Sequence, residues 1–351
     1  MSRFVRPLYL SVFIQKPSSL LFACRQCMPV HLTPMISQIN EHIQLANTDN
    51  DLRQWLTDCT LCPRKCHVDR MAGQVGYCGQ TARITAARAA LHFWEEPCIS
   101  GTQGSGTVFF SGCNLKCVFC QNHSIALGET GKALTTERLA EIFLELQEKG
   151  AHNINLVTAT HFIPQVARAL TLAKATGLHI PIVYNSGGYE EVSSLKCLEG
   201  LVDIYLPDLK YYSSELSLRY SRAADYFEKA SAAITEMYRQ VGSPALEEHT
   251  GLLKRGVIVR HLLLPGETKD SKKILRYLYD TYKNDIYVSI MNQYTPLPHV
   301  ADIPSLNRRV TNEEYERVLD FAERIGIGRG FFQEGETAEE SFIPPFDLEG
   351  I

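Results

Sequence analysis

The sequence contains no apolar run that approaches the ~20 residues needed to span a membrane, and no basic stripe of the kind that nucleic-acid binding requires. Its formal net charge is −4, with both signs spread along the chain. We therefore expect neither a membrane nor a nucleic acid as a main partner. Charged residues make up 21% and hydrophobic residues 45% of the 351 positions, as in ordinary soluble proteins. This length suffices for a large α/β domain and a smaller module.

Acidic residues are missing from positions 1–34, which carry four basic ones: Arg3, Arg6, Lys16 and Arg25. The rest of the chain then has 31 basic against 39 acidic residues. Acid-free starts with Arg and Ser are typical of organelle transit peptides. The segment also fits upstream sequence before a true start at Met28 or Met35, which we favour. We expect little packed structure in 1–34 and a cytoplasmic protein.

The eleven cysteines cluster in CxxC-type patterns, which favours metal binding in a reducing compartment over a disulfide framework. Cys59, Cys62, Cys66 and Cys78 lie within twenty residues, with Pro63 and Gly79 beside them. Four thiolates close a tetrahedral zinc site or hold a complete iron–sulfur cluster, and the spacing leaves both open. His67 could replace one ligand, although a solvent-facing His67 is the preferred interpretation. Cys98 is a candidate for an extra ligand.

From residue 106 onward, apolar strands alternate with helical patterns, which predicts βαβ units and a mostly parallel sheet. The predicted strands are 107–111, 154–158, 180–184, 202–206, 257–264 and 286–291. The predicted helices are 136–149, 163–175, 214–240, 271–284 and 312–325. Residues 50–105 are rich in turns and show no long periodic element. We predict a 1–34 extension, a 35–105 Cys-rich metal module, a 106–340 core and a 341–351 tail.

Polar residues follow successive predicted strands. Function collects at the C-terminal strand ends of such α/β barrels, so their recurrence there predicts a shared pocket. Each one alone could instead be a satisfied core polar group or a helix cap. The candidates for cofactor binding are Thr160, His161, Asn185, Ser186, Asp208, Lys210, Arg260, His261 and Gln293.

Cys113, Cys117 and Cys120 occur within eight residues, in the run Phe110-Ser-Gly-Cys113-Asn-Leu-Lys-Cys117-Val-Phe119-Cys120-Gln-Asn122. This C-x3-C-x-aromatic-C spacing resembles the cluster loop of the radical S-adenosylmethionine (radical SAM) superfamily, and we call residues 111–122 the cluster loop. Three buried core cysteines, or part of a zinc site with a distant fourth ligand, are the alternatives. The aromatic Phe119 joins the candidates for cofactor binding.

The resemblance implies a [4Fe-4S] cluster held by three thiolates instead of the usual four. The remaining iron would bind the amino and carboxylate groups of SAM. An electron from the cluster then breaks the sulfonium C–S bond and leaves a 5′-deoxyadenosyl radical. The superfamily also implies a partial (β/α)6 TIM-like barrel. A flavodoxin- or ferredoxin-type electron donor would be a partner.

Two further runs, Asp208-Leu-Lys210 and Arg260-His-Leu-Leu-Leu-Pro-Gly266, resemble the branch related to pyruvate formate-lyase activating enzyme, over about residues 55–335. This resemblance implies SAM contacts from Asp208, Lys210 and Arg260. Two features depart from the pattern. The Gly-Gly-Glu run expected after the second strand is replaced by 158–161, and the four-cysteine group precedes the cluster loop instead of following it.

The sequence therefore predicts a radical SAM enzyme with a second iron–sulfur or zinc site. Hydrogen abstraction from a peptide or protein is the leading function, with a glycyl-radical enzyme as one candidate substrate. A small-molecule radical SAM reaction is the first alternative, and a non-catalytic iron–sulfur or zinc interaction protein is the second. The substrate, the second metal, the electron donor and the oligomeric state do not follow from the sequence.

Overall fold

The computed structural model describes residues 49–333 and 344–351, with side chains from residue 53. The predicted 1–34 extension lies outside these residues, as does the first part of the predicted Cys-rich module. The helices are α1 (Asp49–Thr57), α2 (Pro97–Ser100), α3 (His123–Leu127), α4 (Thr136–Glu148), α5 (Ile163–Ala175), α6 (Val192–Leu195), α7 (Ser214–Ser221), α8 (Tyr226–Val241), α9 (Thr268–Tyr282) and α10 (Asn312–Ile325). The strands are β1 (Ile84–His92), β2 (Ser105–Phe110), β3 (Lys132–Leu134), β4 (Ile154–Val157), β5 (Ile182–Ser186), β6 (Ile204–Pro207), β7 (Ala245–Leu246), β8 (Leu253–Leu262), β9 (Tyr287–Met291) and β10 (Gly330–Phe332).

These strands form one sheet in the order β10-β9-β8-β6-β5-β4-β2-β1-β3, and β7 pairs with β8. The run from β2 to β10 is parallel throughout, which matches the six predicted strands and adds β10. Strand β1 is antiparallel to both β2 and β3. No pairing within the described residues joins β10 back to β2, so the barrel is partial. The predicted α/β class and parallel core are confirmed.

Two predictions about single elements were wrong. The turn-rich 50–105 segment contains the nine-residue strand β1. Its sequence, ITAARAALH, is rich in alanine and lacks the alternation of large apolar and polar residues that predicts a strand. The single predicted helix 214–240 is two helices, because Arg222 caps α7 in the left-handed conformation at φ 51°. A non-glycine residue in this region ends a helix, and the chain then turns into α8.

Helices α4 to α10 each supply buried residues to the main apolar core, which they share with the sheet. Helix α4 illustrates the local cause, since Leu139, Ile142, Phe143 and Leu146 recur at helical spacing and are all buried. The helix begins after Thr135, whose side chain accepts a hydrogen bond from the Arg138 N–H. This N-cap lies at the predicted helix start.

The segment after β1 enters the barrel from the N-terminal ends of the strands. Cys98 and Ile99 of α2 pack there against an apolar cluster that contains Val183, Ile204 and Ile258. The Asn153 side chain, just before β4, donates to the Ile99 carbonyl at 2.7 Å. No other cysteine belongs to this cluster, so the structure gives no support to Cys98 as an extra metal ligand.

The segment 347–349 runs along the outer edge of β1, beyond the short pairing with β3. The Leu348 N–H donates to the Ala87 carbonyl, and the Ala89 N–H donates to the Glu349 carbonyl. Arg88 pairs with the carboxylates of Asp347 and Glu349. This segment therefore completes an edge that would otherwise expose unpaired backbone groups.

Among the helices of the described residues, none is long and apolar enough to cross a membrane.

Candidate functional site

The cluster loop follows the fully buried strand β2 at its C-terminal end. The chain leaves the strand through Gly112 at φ 85°, and the Gly112 N–H donates to the Ile125 carbonyl at 2.7 Å. A second left-handed residue, Lys116 at φ 48°, turns the chain between Cys113 and Cys117. The Cys120 N–H then donates to the Cys117 carbonyl at 3.1 Å. The three cysteines therefore lie on one tightly wound loop, as the spacing predicted.

Hydrogen-bond donors already contact two of the three predicted ligand sulfurs. The Leu115 N–H lies 3.3 Å from Cys113 Sγ, and the Ser221 hydroxyl lies 3.0 Å from Cys117 Sγ. Burial raises the pKa of the Cys113 and Cys120 thiols, that of Cys120 to about 12, and the neighbouring Lys210 ammonium opposes this rise. A buried thiol set beside a cation suits an anionic thiolate centre once a metal lowers the pKa of its ligands.

Asp208, Lys210 and Arg260 form one charged group at the C-terminal strand ends. Lys210 Nζ lies 2.5 Å from Asp208 Oδ2, and Arg260 Nε lies 3.1 Å from Asp208 Oδ1. Burial opposes the ionisation of Asp208, but both cations hold its pKa below the ordinary value. The Asp208 and Cys117 charges raise the pKa of Lys210 against the effect of burial. Lys210 is thus the member of this group that interacts with the cluster-loop thiols.

Arg260 makes more hydrogen bonds with groups inside the barrel than Lys210 does. Its guanidinium also donates to Glu95 Oε2 at 3.0 Å and to Asn185 Oδ1 at 2.5 Å. The Glu95 carboxylate in turn accepts from the amides of Asn185 and Asn155. Arg260 and Asn185 therefore belong to a polar layer inside the barrel, and both are hydrogen-bonded to protein groups.

Thr160 and Ser186 lie around a buried carboxyl group that the sequence analysis did not single out. The Thr160 hydroxyl donates to Glu190 Oε1 at 2.7 Å, and the Tyr184 phenol donates to Glu190 Oε2 at 3.3 Å. Burial raises the pKa of Glu190 to about 7, although its hydrogen bonds with Thr160, Ser186 and Tyr184 oppose the rise. Glu190 thus brings a carboxyl group beside 158–161, where the sequence lacks the expected one.

The two predicted histidines are buried and hydrogen-bonded to backbone carbonyls. His161 Nε2 lies 2.7 Å from the Ser111 carbonyl, and His261 Nδ1 lies 2.8 Å from the Leu209 carbonyl. Burial, with the nearby Arg70 charge, lowers the pKa of His161 to about 3, so its ring is neutral. The other ring nitrogen of each histidine is buried without a hydrogen-bond partner in the described part of the chain.

Phe119, near the end of the cluster loop, packs against aromatic rings, and Gln293 contacts the same end of the loop. Phe119 is buried and meets the rings of Tyr211, Tyr220 and Tyr294 edge-on, with centroids 6.2–6.4 Å apart. The Gln121 side chain, directly after Cys120, donates to the Gln293 carbonyl at 3.0 Å. Phe119 is therefore part of the packing that supports the loop, while Gln293 contacts the loop through its backbone.

The four-cysteine module (residues 59–80) packs against the cluster loop. Cys59, Cys62 and Cys78 are buried and Cys66 is partly buried. Desolvation raises the pKa of the Cys62 and Cys78 thiols, and charge on the neighbouring module thiols raises it further. His67 instead faces solvent and pairs with Asp58 at 2.8 Å, which agrees with the preferred interpretation.

No three His, Cys, Asp or Glu side chains in 49–333 and 344–351 converge closely enough to hold a single metal ion. A [4Fe-4S] cubane does not need such convergence, because each thiolate binds a different iron. The three thiols of the cluster loop, with donors on two sulfurs and a cation beside them, therefore fit a cluster that has one iron free of protein ligands.

A cavity of about 370 Å³ reaches the cluster loop from the side of the module and α7. Its cationic residues are Lys116 and Arg222, and the rings of His123 and His299 stack 4.3 Å apart in its wall. The residues that line it are Tyr77, Lys116, Cys117, Val118, His123, Leu127, Tyr220, Arg222, His299 and Ile303. The cavity is distinct from the Asp208 group, so Cys117 is approached from two directions.

Comparisons with known proteins identify similar sequences. The model of the radical SAM superfamily matches residues 107–278. A protein of uncharacterised function from Methanocaldococcus jannaschii is 28% identical over 276 residues, which cover 77% of this chain and 75% of that protein. The pyruvate formate-lyase-activating enzyme of Clostridium pasteurianum is 29% identical over 192 residues, which cover 50% of this chain and 68% of that enzyme.

Two solved structures are similar to parts of this chain. Streptococcus suis SuiB bound to S-adenosylmethionine matches 64% of this chain with a TM-score of 0.44 and 12% identity, and this chain spans about half of SuiB (49%). Methylornithine synthase (PylB) matches 82% of this chain and 76% of its own with a TM-score of 0.40 and 17% identity.

The family match extends from β2 through all three cysteines of the cluster loop and into α9. It therefore includes the loop, the parallel strands β4 to β8, and the Asp208 group. Residues 107–278 are therefore a domain of the radical SAM superfamily.

Proposed function

We propose that Cys113, Cys117 and Cys120 bind a [4Fe-4S] cluster and that SAM binds beside it, on the face that carries Asp208 and Lys210. The observation that carries this proposal is the single wound loop of three buried or half-buried thiols with the Lys210 ammonium next to them. When bound, the cluster would supply the electron that splits SAM into methionine and a 5′-deoxyadenosyl radical.

The protein's own groups would orient SAM. Lys210 offers an ammonium to the SAM carboxylate, and Asp208 offers oxygens to its ribose hydroxyls. Arg260, which already contacts Asp208, Glu95 and Asn185, would act mainly by fixing Asp208. Glu190 and Thr160 would complete the same end of the barrel from the neighbouring strand ends. Phe119, Ser186, His161, His261 and Gln293 remain candidates that support the pocket from behind.

We further propose that the radical abstracts hydrogen from a peptide or protein substrate, with a glycyl-radical enzyme as the first candidate. The activating enzyme among the relatives supports this substrate class. A flavodoxin- or ferredoxin-type protein would supply the electron. The cavity beside Cys117 supports this donor class, because Lys116 and Arg222 would attract an acidic partner.

The decisive experiment is anaerobic reconstitution with iron, sulfide, SAM and a low-potential reductant, followed by chromatography for 5′-deoxyadenosine. We expect formation by the wild type and loss in Cys117→Ala. Cys98→Ala is the matched control, because Cys98 is equally buried but lies in the apolar cluster with Val183 and Ile204. Full turnover by Cys117→Ala would refute the cluster assignment.

The substrate class requires a separate test. Reconstituted enzyme is mixed with a purified glycyl-radical enzyme whose glycines are deuterated, and 5′-deoxyadenosine is analysed by mass spectrometry. Deuterium in the product with a glycyl EPR signal supports the proposal. SAM cleavage without either would direct the search to small molecules.

A further inference from the structure

The four-cysteine module contains a buried positive charge that no carboxylate of the described residues balances. Arg70 is only 1% exposed, and its guanidinium donates to the carbonyls of Gln80, Thr81 and His161. Within 49–333 and 344–351 it forms no ion pair with an acidic side chain. The sulfur of Cys59 lies 4.0 Å from Arg70 Nη1. A buried unpaired guanidinium is costly, so this arrangement suits an anionic centre built from thiolates.

Backbone hydrogen bonds fold the module back on itself beside Cys59. The Cys59 N–H donates to the Val68 carbonyl, and the His67 N–H donates back to the Cys59 carbonyl. The Tyr77 N–H points at Cys66 Sγ over 3.2 Å, as backbone donors do at metal thiolates. At Gly76 a side chain is excluded, because an added Cβ would lie 2.9 Å from the same sulfur.

Two side chains of the module reach the cluster loop. Arg64, between Cys62 and Cys66, donates from Nε to the Asn114 carbonyl at 2.8 Å and from its other nitrogens to the carbonyls of Ser221 and Arg222. Tyr77, directly before Cys78, donates to the Leu115 carbonyl at 3.3 Å. The Arg64 guanidinium also stacks 4.0 Å above the Tyr77 ring. We call Arg64 and Tyr77 the clasp.

The backbone of the module touches the loop as well. At Gly112, an added Cβ would lie 2.7 Å from the Cys78 carbonyl oxygen. The residue next to Cys113 is thus packed directly on the last cysteine of the module. Asn114 and Leu115, the clasp acceptors, lie between Cys113 and Cys117. A bound group that makes the module rigid would therefore also make the backbone of the three loop cysteines rigid.

We propose that Cys59, Cys62, Cys66 and Cys78 bind an iron–sulfur cluster of their own, and that this centre holds the cluster loop in place through Arg64 and Tyr77. Four thiolates are the full complement of an electron-transfer [4Fe-4S] cluster. Iron–sulfur is favoured over zinc, because zinc requires four ligands around one ion and the described side chains do not converge in that way. Only the role of the clasp in SAM chemistry rests on the proposed function.

The metal is tested in a chain that lacks the loop cysteines. The triple variant Cys113→Ala/Cys117→Ala/Cys120→Ala is reconstituted and purified anaerobically, and iron, sulfide and zinc are measured. We expect about four irons and four sulfides per chain, and an EPR signal after reduction. Iron at background, or one zinc in its place, would overturn the assignment.

A second variant guards against misfolding of the first. Cys59→Ser/Cys62→Ser/Cys66→Ser/Cys78→Ser, with the loop cysteines intact, should lose about half of the iron of the wild type. Unchanged iron content in this variant would overturn the proposal, whether or not the triple variant folds.

The clasp is tested by hydrogen–deuterium exchange of residues 114–118 in the triple variant, so the readout does not depend on SAM chemistry. Arg64→Ala should raise exchange there about tenfold, because the hydrogen bond from Arg64 to the Asn114 carbonyl is lost. Arg83→Ala is the matched control, since Arg83 is exposed on the same segment. Equal exchange in both variants would refute the role of the clasp. The iron content of Arg64→Ala is measured as well, and retained iron shows that the faster exchange comes from loss of the clasp and not from loss of the iron–sulfur centre.

Discussion

The Ser221 hydroxyl donates to the sulfur of Cys117 over 3.0 Å, and the Tyr211 phenol pairs with the same hydroxyl at 2.7 Å. Ser221 is the last residue of α7, so the sulfur is hydrogen-bonded from outside its own loop. A serine more than a hundred residues away thus contributes to the surroundings of a predicted iron ligand. Hydrogen bonds to cluster sulfurs stabilise the more negative, reduced state.

Ser221→Ala should therefore lower the midpoint potential of the SAM cluster, by about 40 mV if the bond contributes about 1 kcal/mol to the reduced state. An EPR-monitored redox titration of the reconstituted protein measures this potential. Ser217→Ala is the matched control, because Ser217 is also buried in α7 but bonds to the Ser214 carbonyl. An unchanged or higher potential in Ser221→Ala would contradict the prediction.

Lys210→Met should weaken SAM binding about tenfold to a hundredfold, because one charge-assisted hydrogen bond of ~1.5–3 kcal/mol is removed. Binding is measured by anaerobic equilibrium dialysis of cluster-loaded protein, together with the melting temperature. Lys254→Met, on the exposed part of β8, is the control. Wild-type affinity in Lys210→Met would move the SAM carboxylate elsewhere.

Arg260→Ala should lower the free energy of unfolding by about 3 to 5 kcal/mol, since Asp208 and Glu95 would lose the cation between them. Chemical denaturation of the anaerobic protein gives this value. Arg276→Ala, at an exposed pair with Asp280, should cost less than ~1 kcal/mol. Similar losses in both variants would show that the polar layer contributes little to stability.

Glu190 should make the protein less stable as the pH rises from about 5 to 7.5. Its pKa is raised from the ordinary 4.5 to about 7, so the folded chain holds a proton that the unfolded chain releases. The free energy of unfolding then falls by about 2 kcal/mol across this window. In Glu190→Gln this part of the decrease should be absent. Urea denaturation of both proteins at pH 5 and pH 7.5 measures the free energy of unfolding. Parallel pH profiles for the two proteins would contradict it.

Gly112→Ala should reduce both stability and iron content more than Gly73→Ala does. Both glycines have φ near 86°, at 85° and 86°, so a side chain is strained equally at the two sites. At Gly112 the new Cβ would collide with the Cys78 carbonyl oxygen. A Cβ added at Gly73 would meet no atom of another residue within 4 Å. Melting curves and iron assays compare the two, and equal losses would argue against tight packing of the module on the loop.

Local patterns predicted much of the fold and the cluster loop. The six parallel strands were visible because each is a short buried apolar run between helical patterns. Strand β1 was not, because alanines pack on a covered sheet without an apolar alternation. The break after α7 depends on one residue, Arg222, in a left-handed conformation that no pattern of apolar residues encodes.

The site was less predictable than the fold, because its contacts join distant segments. Arg64 and the Ser221 carbonyl are 157 residues apart, and Glu95 and Arg260 are 165 apart. Contacts between residues so far apart produce no periodic pattern in the sequence. Arg64 and Tyr77 did carry one signal, since Arg64 lies between two cysteines of the module and Tyr77 directly precedes a third. Glu190 carried none that we recognised, and its contact with Thr160 appears only in three dimensions.

The hydrogen bonds between β1 and residues 347–349 constrain the order in which the protein is made. Arg88 and Asp347 are separated by 259 residues, so the ribosome finishes β1 long before its edge partner exists. Until then most of that alanine-rich edge offers free backbone groups to any neighbouring nascent chain. The barrel therefore reaches its final, edge-protected form late in synthesis, and a stalled or truncated product keeps an edge open to aggregation.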